Sequence, residues 1–167
     1  MDMDGHLLEL AGRLGQFLSG QGAVITTAES CTGGWIAQTI TEIPGSSAWF
    51  DRGFVTYSNL AKVEMLGVNP QTLERYGAVS KETATEMVAG ALARSDADIA
   101  IAVTGVAGPD GGTPDKPVGT VFIAWTNKGG GLRVAKKQFS GDRHQIRAQT
   151  VKIALEGVFQ WGGFSNT

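Results

Sequence analysis

A chain of 167 residues suits one domain with a sizeable core, and 42% apolar against 18% charged residues excludes a disordered polymer. A net charge of −2 with no long Lys/Arg run argues against nucleic acid or an anionic membrane as the main partner. A single cysteine excludes an internal disulfide, the acidic start Met1–His6 lacks the positive flank of a secretion signal, and no apolar run reaches the ~20 residues of a bilayer span. The expectation is a cytoplasmic protein.

Leu7, Leu8, Leu10, Ala11, Leu14, Phe17 and Leu18 recur at helical spacing and predict an opening amphipathic helix, ended by Gly20-Gln21-Gly22. Residues 23–28 read as a buried strand and 32–42 as a helix stopped by Pro44-Gly45-Ser46-Ser47. Trp49 to Tyr57 is aromatic and β-branched, a strand; Asn59 to Leu66 is a short helix, and Gln71 to Arg75 a helical turn after Pro70. Ser80 caps a helix whose stripe is Ala84, Met87, Val88, Ala91 and Leu92. Asp98 to Thr104 is a continuous apolar run, the pattern of a strand covered on both faces. After the loop Gly105 to Pro117, the runs 118–126 and 132–139 flank a glycine-rich hairpin turn. Asp142 caps a last helix with Ile146, Thr150, Ile153, Ala154 and Val158 inward, and the tail from Trp161 to Thr167 has no clear period.

Helices before, between and after about five strands predict a single α/β domain over residues 1–167, in three α/β/α layers, with a mixed, mostly parallel sheet. The 24 glycines cluster at 33–34, 105–112 and 129–131, between the periodic segments. The first two clusters fit close backbone approach to a ligand; the third fits a plain turn.

The stretch Ala28-Glu29-Ser30-Cys31-Thr32-Gly33-Gly34 places two hydroxyls and a thiol where a strand turns into a helix. Free N–H groups gather there and would stabilise a developing oxyanion; a helix cap with turn glycines is the plainer alternative. His6 and His144 sit on helices and read as structural, so a serine–histidine pair is disfavoured. A lysine can activate a serine instead, and Lys62 lies in an otherwise apolar segment, where burial would lower its pKa. Tyr57 could relay or position the proton. An exposed helix lysine and a packed strand aromatic are the competing readings of these two residues. Cys31 is the rival nucleophile, since a helix N-terminus lowers a thiol pKa.

Thr104 to Gly112, with Gly105 and Gly108, matches neither the P-loop nor the dinucleotide glycine pattern, yet offers backbone N–H groups to an anion. Arg143 and Arg147, four apart on one helix face, read either as a phosphate clamp or as surface partners of Asp142 or another acid. No metal-ligand spacing occurs, so neither metal nor cofactor is expected.

Six ordered stretches together resemble the CinA carboxy-terminal domain family. They are 28–34; Thr56-Tyr57-Ser58-Asn59 with Lys62 and Leu66-Gly67-Val68; Gly77-Ala78-Val79-Ser80; Thr104 to Pro114; Lys116 to Val121; and Gly141-Asp142-Arg143. The chain is similar to the family's stand-alone form, without the amino-terminal domain of larger members. The resemblance implies hydrolysis of nicotinamide mononucleotide to nicotinate mononucleotide and ammonia. Ser30 would be the nucleophile and Lys62 and Tyr57 its activating partners. Cys31, Thr32, Gly33, Gly34, Thr104, Gly105, Gly108, Arg143 and Arg147 would bind the phosphorylated substrate. A homo-oligomer is compatible with this reading. A nucleotide- or partner-binding module without turnover is the alternative, and it would place no demand on Lys62.

Overall fold

A computed structural model describes residues 2–161; the end of the sequence from 162, within the tail that shows no period, lies outside them. Helix α1 (Met3–Gly20) starts where the Asp2 side chain accepts from the Gly5 amide at 2.8 Å. It buries Leu7, Leu10, Ala11, Leu14 and Leu18, whereas Leu8, one residue round the helix from the stripe, is exposed. Strand β1 (Ile25–Glu29), helix α2 (Trp35–Thr41) and strand β2 (Phe50–Val55) follow, with a short 3₁₀ turn, Ser46–Ala48, between the last two. Helices α3 (Asn59–Leu66), α4 (Pro70–Tyr76) and α5 (Lys81–Ala93) are capped by Ser58, Asn69 and Ser80. Strands β3 (Ile99–Gly105), β4 (Thr120–Asn127) and β5 (Leu132–Gln138) precede α6 (Arg143–Trp161). The Asp142 carboxylate accepts from the Gln145 amide at 2.8 Å, as a cap of α6 should.

The five strands lie in the order β2-β1-β3-β4-β5. β1 pairs parallel with β2 and β3, whereas β3–β4 and β4–β5 are antiparallel and form the longer ladders. The sheet is therefore mixed, but not mostly parallel as the sequence predicted. Residues 106–119 hold no helix to carry the chain back across a sheet face, so β4 must return alongside β3 in the opposite sense.

Strand β3 shows how the layers form. Ile99, Ile101 and Val103 point to a core shared with α1, α2 and α6. Ala100 and Ala102 point the other way, to a thinner core with Met87, Val88 and Leu66 of α5 and α3. Small side chains on that face let α5 sit close to the sheet. Gly90 of α5 lies so near the Leu66 carbonyl that an added Cβ would overlap it, so glycine there sets how close α3 approaches.

Chain direction decides the rest. β1, β2, β3 and β5 all end at one sheet edge, and β4 begins there. The 30–34 turn, the 56–58 segment, the 106–119 loop and the start of α6 are thereby brought to the same edge, where open α/β sheets bind ligands.

Candidate active site

Ser30 directly follows β1, with its amide bonded to the Val103 carbonyl at 3.2 Å. Lys62 lies one turn into α3, which begins where Ser58 Oγ accepts from the Ala61 amide at 3.0 Å. Its side chain reaches back under the sheet edge and is only 1% exposed. Lys62 Nζ donates to Ser30 Oγ at 3.0 Å and to the carbonyls of Thr56 and Tyr57 at 3.1 Å each. Among the described residues it forms no ion pair. Burial without a carboxylate partner pulls its pKa below the ordinary lysine value of 10.5. In the neutral amine, two N–H groups can stay on the carbonyls while the lone pair faces the serine hydroxyl. The exposed-lysine alternative is thereby excluded.

Cys31 is buried beside this pair, and desolvation pushes its thiol up to about 12, with the nearby Glu29 adding to the rise. It is a neutral thiol at physiological pH, contrary to the lowered value that a helix start alone would give. Burial outweighs the helix terminus here.

Glu29, unassigned by the sequence reading, organises the turn. Its carboxylate is 1% exposed and accepts from Thr32 Oγ1 at 2.6 Å and from the Ile36 and Ala37 amides at 2.8 and 3.0 Å. It thus caps α2 from the end of β1, a role that the intervening glycine turn permits: Gly33 and Gly34 both have positive φ, 61° and 103°. Burial raises the Glu29 pKa, and the Thr32 hydroxyl with the Ile36, Ala37 and Gly34 amides opposes that rise. The signal in the sequence was a carboxylate at a strand end, several residues before a helix start.

The turn's amides can be assigned one by one. Gly33 donates to the Ser30 carbonyl at 3.1 Å, and Trp35 to that of Thr32 at 3.1 Å. Cys31 and Thr32 are left with no hydrogen bond from their N–H groups to another described residue.

A cleft of about 290 Å³ opens over Ser30 and Lys62, walled by Cys31, Tyr57, Thr104, Gly105, Gly108 and Arg143. Asn59, Ala78, Val79, Val106, Ala107, Asp110 and Gly111 also line it, all inside stretches flagged by motif but not singled out as residues. Thr104 is held by its own bond to the Ala78 carbonyl at 2.9 Å. Thr32, Gly33, Gly34 and Arg147 do not line the cleft. Tyr57 is 62% exposed, and its hydroxyl accepts from Arg143 at 3.1 Å; only its backbone carbonyl meets Lys62. Arg143 also donates to the Gly108 carbonyl at 2.7 Å. Arg147 donates instead to the carbonyls of Cys31 and Thr32, at 3.0 and 3.1 Å, and its guanidinium lies over the Trp35 ring. Neither arginine pairs with Asp142. His144 packs its ring on Trp35 and lies outside the cleft.

A larger hollow of about 480 Å³ lies between the start of α1 and α2, rimmed by Asp2, Asp4 and Glu42. Its lining of carboxylates, Gln38 and Thr39 contains neither a serine nor a lysine, so size does not single out the Ser30–Lys62 pair. Among the described residues no metal-binding cluster of His, Cys, Asp or Glu occurs, and no helix is long and apolar enough to cross a membrane.

A serine in contact with a buried lysine that has no ion-pair partner among the described residues thus stands at the strand-end edge of a three-layer α/β/α sheet. Residues 7–161 match the CinA C-terminal domain, and the chain belongs to that family. It is 51% identical over 157 residues to the nicotinamide-nucleotide amidohydrolase PncC of Escherichia coli (strain K12), covering 94% of this chain and 95% of that protein. It is 56% identical over 155 residues to the PncC protein of Pseudomonas putida, covering 92% and 95%. The fold superposes on the competence/damage inducible protein CihA from Agrobacterium tumefaciens with a TM-score of 0.91 at 49% identity, over 92% of this chain and 94% of that one.

Proposed function

We propose that the protein is an amidohydrolase that converts nicotinamide mononucleotide to nicotinate mononucleotide and ammonia. The amidohydrolase class and the nicotinamide-nucleotide substrate follow from the names of its relatives. The observation that carries the mechanism is the 3.0 Å contact between Lys62 Nζ and Ser30 Oγ.

Ser30 Oγ attacks the carboxamide carbon while its proton passes to the neutral Lys62 amine. The carbonyl electron pair moves onto oxygen, and the amides of Cys31 and Thr32, which donate to no other described residue, are the donors for that oxyanion. Collapse of the tetrahedral adduct expels ammonia, which takes the proton from Lys62. Water then attacks the acyl-enzyme and yields its proton to Lys62. Ser30 leaves as the hydroxyl and nicotinate mononucleotide is released. In this reading Tyr57 does not relay the proton. Its hydroxyl, bonded to Arg143, belongs to the substrate wall. The phosphate is held by Arg143, whose fork retains free N–H donors, and by the amides of the 105–112 loop, with Thr104, Gly105 and Gly108 shaping the wall.

The test is ammonia release from nicotinamide mononucleotide by the purified chain and its Ser30→Ala variant. Release by the parent and not by the variant is expected. Binding of the nucleotide with no ammonia from the parent would replace the hydrolase reading with the non-catalytic one.

A further inference from the structure

We infer that Arg147 is a positioning residue for the oxyanion donors, not a phosphate ligand; the inference rests on the hydrolase reading above. The argument is one of peptide geometry. Arg147 Nε donates to the Cys31 carbonyl at 3.0 Å and Nη2 to the Thr32 carbonyl at 3.1 Å. The Cys31–Thr32 bond is trans, so its C=O and N–H point in opposite directions within one plane. A guanidinium that fixes the Cys31 carbonyl therefore turns the Thr32 N–H away from itself. Arg147 lies outside the cleft, and the Thr32 N–H, pointing away from it, donates to no other described residue. The next peptide obeys the same rule: the Thr32 carbonyl faces Arg147, and the Gly33 N–H points back to the Ser30 carbonyl at 3.1 Å.

Two further features support a positioning role. The guanidinium lies 5.4 Å from the Trp35 ring centroid, so its plane is fixed before it meets the turn. Its charge also lies beside two carbonyl oxygens that would otherwise face a site where negative charge develops, and it neutralises their dipoles. Glu29 holds the same turn from the other end through Thr32 Oγ1 at 2.6 Å. The turn that carries Ser30 is thus held between an acid and a base, neither of which enters the cleft.

The experiment compares Arg147→Ala and Arg147→Lys with the parent on nicotinamide mononucleotide. It adds the aldehyde analogue of that nucleotide, to whose C=O the Ser30 O–H adds to give a tetrahedral adduct. In Arg147→Ala, kcat should fall by ~10- to 100-fold, toward the ~10²- to 10³-fold that loss of an oxyanion donor costs. Affinity for the aldehyde should fall in parallel, while KM moves by less than about threefold. Arg147→Lys, which keeps charge but not the two-pronged fork, should recover part of both losses. A raised KM with unchanged kcat would instead make Arg147 a phosphate ligand and overturn the inference. Unchanged kcat and aldehyde affinity would also overturn it. If Arg147→Ala does not fold, Arg147→Lys decides by the same readouts. If neither folds, the residue is structural only and the inference fails. A parent enzyme that releases no ammonia is a different failure, that of the hydrolase reading itself.

Discussion

Lys62 Nζ and Ser30 Oγ stand 3.0 Å apart although 32 residues separate them, one on α3 and the other at the end of β1. No acidic side chain completes the pair, so burial lowers the lysine's pKa, with the neighbouring Cys31 opposing in part. This separates it from triads in which a carboxylate orients the base and stabilises the cation that it becomes.

Ser30→Ala should lower turnover of nicotinamide mononucleotide by at least ~10³-fold, the scale of nucleophile loss. Cys31→Ala should cost under about tenfold, since a thiol held near 12 contributes no thiolate at neutral pH. Steady-state ammonia release from both variants checks this. A dead cysteine variant beside an active serine variant would reverse the roles.

The lowered Lys62 pKa has a sign that can be read in two ways. In the proposed mechanism the neutral amine is the base, so kcat/KM should rise with pH to a plateau, with a midpoint below 10.5. Between the folded value and 10.5 the unfolded chain binds more protons, so stability also rises with pH through that window. Lys62→Met should abolish turnover and flatten this part of the stability profile. Lys62→Arg keeps the charge but cannot deprotonate, and should also abolish turnover. Thermal melts from pH 7 to 10 and a pH–rate profile provide the check. Retained turnover in Lys62→Arg would remove the lysine from the mechanism.

Arg143→Ala should raise KM for nicotinamide mononucleotide by ~10- to 150-fold, corresponding to ~1.5–3 kcal/mol for a charged hydrogen bond. Any slow turnover of unphosphorylated nicotinamide riboside should be nearly unchanged. Because Arg143 also holds the Gly108 carbonyl, a melting curve separates loss of a ligand contact from loosening of the loop. Wild-type KM in this variant would move the phosphate to the loop amides.

Glu29→Gln tests the tie between β1 and α2. Its amide nitrogen cannot accept, so either the Ala37 amide or the Thr32 and Ile36 donors lose their acceptor. The expected loss is ~1–3 kcal/mol of stability, by denaturant titration, with reduced kcat because the serine turn loosens. A variant as stable and as active as the parent would show that α2 needs no such cap.

Most of the fold was legible because the periodic runs were long. The run Asn59–Leu66, read as a short helix, has the bounds of α3. β4 was not legible as a partner of β3, since nothing in the Thr120–Asn127 run encodes its direction; that is set by the helix-free connection before it. Ser30 and Lys62 were legible as residue types, but their contact depends on α3 being drawn in against Gly90 of α5, a packing relationship with no local signature. Tyr57 was placed by motif and Arg147 by its spacing from Arg143, and neither signal says which end of a tyrosine meets the lysine or which wall an arginine backs.

The connection between β3 and β4 divides the chain's freedom to change. Its base is clamped where Val106 N–H donates to the Thr120 carbonyl at 2.9 Å and Gly119 N–H to the Val106 carbonyl at 2.8 Å. Beyond that clamp, residues 109–115 are solvent-facing and belong to neither core. Variation in their length or composition alters the mouth of the cleft without straining β1 or α3. Change in those residues can therefore reshape the entrance to the cleft while Ser30 and Lys62 stay in contact at its floor.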